Sequence, residues 1–327
     1  MNGNQKIGLA LVVLAGVGGL AYFQREKDKK IGTAETTSEA LPEIKLTSTD
    51  DITKIAVTNA DKSDVVLEKV GEKWELAKPV KAPANQANIK SLLDNLKELK
   101  ADELISKDAS DDLKKTYDLT PEKAVHVVLY KGDTKTFDAT FGKSGGRGQM
   151  AIVDGKAGIY GVKGYSSYHY ARETKGWRDT EIFKFDDANV TDVTIQKKDG
   201  KFHFAKSGDK FTGTLNDKAI ERFDAEKVKD VLRALKSLAA EDFGDGKSAA
   251  DTGLDQPEST TTVQLKDGPK FVLKTGKVAT GTNRYAQREG DATTFVIAAW
   301  PADWVTADVS KFQTATDAGV PKKDGGK

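Results

Sequence analysis

The stretch GEKWELAKPVKAPANQANIKSLLDNLKEL, residues 71–99, begins as a strand around Trp74, passes Pro79 and Pro83, and turns into a helix. Ile89, Leu92, Leu93, Leu96 and Leu99 fall at i, i+3, i+4, i+7 and i+10, one apolar helical face. The face recurs. In DAEKVKDVLRALKSL, Val228, Val231, Leu232, Leu235 and Leu238 repeat the spacing, each shifted by the same interval that separates Ile89 from Val228. Asn85 and Asp224 keep that interval too and are expected N-caps, because a short side-chain oxygen accepts a free backbone N–H.

The flanks repeat as well. DITKIAVTNADKSDVVLEKVGEKWEL and NVTDVTIQKKDGKFHFAKSGDKFTG both alternate with period two around turn residues, the pattern of a strand pair. After each helix, Gly142-Lys143 matches Gly276-Lys277, then Gly155 matches Gly290 and Tyr160 matches Phe295. Each unit therefore reads as two strands, one main helix and about four more strands. The expected fold class is α+β: two tandem related units, each an antiparallel sheet packed with one helix, over residues 46–185 and 186–312.

The order of blocks resembles the bacterial "domain of unknown function 4340" family. The resemblance rests on the Ile52, Ile55, Val57 strand, LEKVGEKWELAKPVKAPAN, the Leu-patterned helix, Tyr117-Asp118-Leu119 with Pro121, the FGK turn and the restart at GWRDTEIFKFDDANVTDVTI. It covers roughly 46–312 in two copies; the second has Phe211 where Trp74 stood and no counterpart of Pro79. The resemblance implies a membrane-anchored or exported protein, often encoded beside ABC-type transporter components of the kind linked to gliding machinery. It implies no activity, so no functional residue carries over.

The chain has 327 residues, about two ordinary domains. Lys plus Arg (51) nearly cancels Asp plus Glu (50), so the basic excess of a nucleic-acid binder is missing and no nucleic-acid partner is expected. The absence of Cys excludes disulfides, thiolate catalysis and Cys-ligated zinc.

Residues 7–23 carry no charge and reach roughly 25 Å as a helix, the low end for a membrane span. We read residues 1–23 as an uncleaved anchor in the cytoplasmic membrane, with Ala15 and Gly19 as a small-x-x-x-small pair able to pack on a partner helix. The rival is a cleaved signal peptide with Lys6 as its basic end and Gly19-Leu20-Ala21 as the cleavage site. Arg25, Lys27, Lys29 and Lys30 follow the span, which taken literally puts the body inside; large domains translocate largely regardless of charge, and the body is expected outside. Residues 24–45 read as a solvated tether and 313–327 as a disordered tail.

Signals of chemistry are sparse. His126, His169 and His203 are far apart, without metal-site spacing, and no cofactor is expected. FGKSGGRGQ (141–149) tempts a phosphate-loop reading, but Phe137 stands where that loop needs Gly, and a strand follows instead of a helix. A strand connection explains it; anion binding through Lys143 and Arg147 is the alternative. Arg178 and Asp179 are expected to tie the junction by hydrogen bonds. Tyr160, Tyr165, Tyr168, Tyr170, Trp300 and Trp304 are the candidate interaction surface, with core packing as the competing role. The expected function is therefore a non-catalytic envelope protein, an accessory or scaffold subunit of a membrane complex with protein partners. A glycan- or peptide-binding module is the alternative, and a hydrolase the third.

Overall fold

A computed structural model describes residues 41–46, 48–59 and 63–315. The first set of elements is β1 (Lys54–Asn59), β2 (Ser63–Val70), β3 (Lys73–Lys78), β4 (Ala82–Pro83), α1 (Gln86–Lys97), β5 (Lys100–Ser106), α2 (Asp111–Thr116), β6 (Val125–Lys131), β7 (Thr134–Gly145), β8 (Gly148–Val153) and β9 (Ile159–Lys163). The second set is β10 (Val190–Lys197), β11 (Lys201–Ser207), β12 (Lys210–Leu215), β13 (Lys218–Ala219), α3 (Glu226–Leu235), β14 (Asp242–Phe243), α4 (Ala249–Thr252), β15 (Ser259–Leu265), β16 (Lys270–Val278), β17 (Arg284–Arg288), β18 (Phe295–Ile297) and α5 (Ala299–Val305).

Each set forms a nine-stranded sheet. The orders are β4-β3-β2-β1-β6-β7-β8-β9-β5 and β13-β12-β11-β10-β15-β16-β17-β18-β14. Adding nine to every strand of the first order gives the second. The fold is thus mostly antiparallel sheet with few helices, in two sheet units.

Two details differ from the expected layout. The segments before each helix hold three full strands and a short fourth, not a pair, because Gly71 and Gly208 each make a second turn at left-handed φ (62° and 61°). The strand after the main helix, β5 or β14, runs to the far edge to pair with β9 or β18. That pairing spans the sheet and leaves no local pattern.

The helix faces are buried as their spacing requires. Ile89, Leu92, Leu93, Leu96 and Leu99 are all buried, as are Val228, Val231, Leu232, Leu235 and Leu238. Each such side chain contributes about 1.5–3 kcal/mol by leaving water. Asn85 Oδ1 accepts from the Asn88 N–H (3.0 Å) and caps the first helix; before the second, the N-cap position is Ala225, and Asp224, one residue ahead, accepts from the Glu226 N–H (3.0 Å).

The described part of 1–61 with Leu92–Tyr170 forms one compact unit; the described parts of 62–91 and 171–327 form the other. β2, β3 and β4 are thereby grouped with the second unit. In the first, Ile44, within the expected tether, is buried, and the Leu46 N–H donates to the Leu96 carbonyl (3.3 Å). In the second, the Thr314 N–H donates to the Arg222 carbonyl (2.9 Å), just inside the expected tail. Among the described residues no helix is long and apolar enough to cross a membrane. The span read at 7–23, with Ala15 and Gly19, lies outside the described residues.

Candidate binding surfaces

The FGK segment (141–143), the most site-like motif in the sequence, lies within β7 instead of in a strand connection and clamps a short helix. A Cβ on Gly142 would lie 2.2 Å from the Tyr117 carbonyl oxygen, so only glycine lets β7 come this close to the end of α2. There the Lys143 N–H donates to the Tyr117 carbonyl (2.9 Å), and its ammonium donates to the Thr116 carbonyl. The second unit repeats the device. A Cβ on Gly276 would lie 2.2 Å from the Thr252 oxygen, and Lys277 Nζ donates to the Ala250 carbonyl (2.8 Å) at α4. Asp118 (φ 54°) and Gly253 (φ 73°) end the two helices in the left-handed region. The Leu119 N–H reaches back to the Lys114 carbonyl (2.8 Å), and the Leu254 N–H to that of Ala249 (2.9 Å). An ammonium at a helix C-terminus satisfies carbonyls that lack partners and meets the negative end of the dipole. Arg147 is taken by Glu103 (Nε to Oε2, 2.8 Å), so the loop keeps no spare cation for an anion.

The histidines are separate. His126 Nε2 lies 2.7 Å from Asp138 Oδ1 across β6 and β7, and Lys135 donates to the other Asp138 oxygen (2.8 Å). Burial pushes the Asp138 carboxyl up, but the hydrogen bonds from Lys135 and His126 outweigh it and hold its pKa below the ordinary value. His203 pairs with Asp192 across β11 and β10. His169 sits edge-on to Tyr168 (5.6 Å between centroids). Among the described residues, no cluster of three or more His, Asp or Glu side chains is arranged to hold a metal ion.

Most of the aromatic candidates are core. Tyr160, Tyr170 and Trp304 are buried. Tyr165 lies between Phe141 (4.3 Å) and Tyr170 (4.8 Å) in a ring stack, and Tyr170 donates to Asn95 Oδ1 (2.8 Å). Burial pushes the Tyr165 and Tyr170 phenols up. Tyr160 donates to the Ala157 carbonyl (2.6 Å). Their apolar bodies close the core, and a buried hydroxyl takes a nearby oxygen. Tyr168, 70% exposed, and Trp300, 48% exposed, are the two exposed candidates, and Tyr165 is partly buried.

Trp300 stands on a groove. It projects from α5 beside Val278, itself 50% exposed at the end of β16, over a cavity of about 530 Å³. Thr282, Arg284, Asp303 and Thr306 complete the walls. Arg284 Nη1 is held by Glu258 and by the Gly276 carbonyl (3.2 Å), so its fork is fixed in place. Trp304, one turn on, faces inward near Phe312 (6.1 Å).

Arg178 and Asp179 both make hydrogen bonds, all of them within the second compact unit. The Asp179 N–H donates to the Pro83 carbonyl (2.9 Å), and Ala84 pairs with Arg178 as an isolated antiparallel bridge. The Arg178 side chain is buried, donates to Asp245 Oδ2 (2.6 Å) and lies 3.4 Å from the Phe243 ring centroid. Nothing local in the sequence pointed to Asp245.

The model of the family described as "Domain of unknown function (DUF4340)" matches residues 74–257, more than half of the chain. The chain belongs to the DUF4340 family. The match runs as one block from within β3 to just before β15, so the DUF4340 region includes α1, the first clamp and α3. No curated protein and no solved structure matches the chain.

Proposed function

We propose that this DUF4340 protein works by contact and not by turnover, as a membrane-anchored, non-catalytic accessory or scaffold subunit of an envelope complex. The observation that carries the reading is the groove where Trp300 and Val278 stand half exposed while most other aromatics are committed to the core. An exposed Trp beside a fixed Arg is the composition of a contact hot spot. The two nine-stranded sheets of one order support a second element of the proposal, that the chain carries two copies of one ancestral α+β block, each with one main helix. The anchor rests on the uncharged run 7–23. An ABC-type transporter or gliding-machinery partner rests on the family resemblance alone, an associational warrant.

A photo-cross-linking side chain in place of Trp300, in the full-length protein in its native host, tests the reading. Subunits of a membrane complex should be captured, and the same probe at exposed Lys274 should not capture them. Turnover of a substrate by the purified chain, abolished by one side-chain change without unfolding, would refute it. A glycan or peptide ligand is the second reading, favoured by the polar groups of Thr282, Asp303 and Thr306 around Trp300. It predicts saturable quenching of Trp300 fluorescence by the ligand.

A further inference from the structure

A different cavity, about 270 Å³, lies against Arg178 in the second compact unit. Lys81, Lys247, Thr293, Thr294 and the Gly244-Asp245-Gly246 turn complete its walls. Three cations face it, against the one carboxylate of Asp245. Arg178 is only 4% exposed, and its Nε is buried with no hydrogen-bond partner, although a guanidinium has five N–H donors to satisfy. Its ion pair with Asp245 runs through a single nitrogen, Nη1, and Asp245 is itself 48% exposed. The Lys81 and Lys247 side chains are exposed and their ammoniums make no hydrogen bond or ion pair among the described residues; the Lys247 ammonium acts on Asp251 only through its field.

The Nε atom is out of reach of the cavity, so the cavity meets the rest of the guanidinium, which Asp245 holds. The other groups around the cavity say what would bind there. The surplus is two positive charges, which a dianion neutralises and a monocarboxylate does not. A planar fork and two mobile ammoniums, with two hydroxyls beside them, are the donor set that recognises phosphate oxygens. The volume is just below the usual range for small-molecule sites, so it holds a phosphate and at most a small carrier.

We propose that this cavity binds a phosphate monoester, with Arg178 as the fixed donor and Lys81 and Lys247 as the closing charges. The site is separate from the Trp300 groove and does not depend on it.

Calorimetry on the full-length protein in mild detergent tests it, at constant ionic strength, with inorganic phosphate, glycerol 3-phosphate and dihexanoyl phosphatidic acid as probes and acetate as the control. One saturable phosphate site per chain is expected, with acetate silent. The variant carrying Lys81→Ala and Lys247→Ala should keep its thermal midpoint and lose about tenfold or more in affinity, since both side chains are exposed. Trp300→Ala should bind as the wild type does. Tighter binding of glycerol 3-phosphate than of the lipid assigns a soluble ligand, and the reverse assigns a lipid headgroup; either supports the site. Binding that does not saturate, that acetate matches, or that survives the double lysine variant overturns the proposal. Arg178→Lys, should it fold, is expected to bind more weakly, and the lysine variants decide the question without it.

Discussion

Gly142→Ala separates the clamp from the phosphate-loop reading of the same nine residues. Ordinary contact for the new methyl begins near 3.4 Å, and it would start 2.2 Å from the Tyr117 oxygen and 2.9 Å from Leu119 Cγ. The strand must therefore retreat by about 1 Å from a backbone neighbour that has little freedom to move, a form of overpacking that costs about 1–3 kcal/mol. The retreat also breaks the hydrogen bond from Lys143 N–H to the Tyr117 carbonyl, worth about 0.5–1.5 kcal/mol. Alanine restricts the unfolded chain and returns about 0.4–1 kcal/mol. The net expectation is a loss of about 1–4 kcal/mol. Gly145 and Gly146 supply the control, because a Cβ on either meets nothing within 4 Å and neither has a positive φ. Alanine there should change stability by no more than about 0.5 kcal/mol. Urea unfolding of the full-length protein, followed by tryptophan fluorescence, gives the midpoints, and the slopes should stay the same. A neutral Gly142→Ala, or a Gly146→Ala variant as damaged as Gly142→Ala, would refute the clamp. Gly276→Ala should repeat the loss, since its Cβ meets the Thr252 oxygen at the same distance.

Three further outcomes are expected. Leu93→Ala and Leu232→Ala should each cost about 2–5 kcal/mol in the same assay, because each removes a buried side chain from the apolar face of its helix. Asp138 is held below its ordinary pKa in the folded chain, so its contribution is present above the unfolded carboxyl value of about 3.9 and is lost as pH falls through the folded value. The unfolding midpoint of Asp138→Asn should therefore lie below that of the wild type at pH 7, with the gap closing in acid. Protease added to spheroplasts should digest the body of the full-length protein; protection until lysis would place it on the inner side.

The fold was legible wherever a pattern was local and repeated. Helix spacing at Ile89–Leu99 and Val228–Leu238 identified the buried faces; Asn85 marked the first start, and Asp224 fell one residue ahead of the second N-cap. Strand count was less legible, because a hairpin turn at Gly71 or Gly208 breaks the alternation only briefly. The edge positions of β5 and β14 were not legible, since they depend on partners across the whole sheet. The recurrence of Gly-Lys was legible, but its tie to the helix ends at Tyr117-Asp118-Leu119 and Thr252-Gly253-Leu254 was not, because that contact is long-range; a motif present in both sheets favours a structural duty. Among the aromatics, spacing did not separate Trp300 from Trp304: four residues apart they share a face of α5, yet Trp300, at the helix start, is half exposed and Trp304 is buried.

The places where the two sheets differ are better guides to function than those where they agree. Phe141 precedes the first Gly-Lys, and its ring stacks with Tyr165, which is followed in turn by Tyr170. Thr275 precedes the second Gly-Lys, fully buried, with a hydroxyl that has no partner among the described residues. Ser259 and Thr261 on the neighbouring strand β15 leave their hydroxyls in the same state. Each such group costs about 1–3 kcal/mol relative to a satisfied one. Phe141, at the matching place before Gly-Lys in the first sheet, carries no such group. Under the proposed contact role, the first sheet keeps an aromatic stack at this end and the second carries the half-exposed Trp300 that would make the contact.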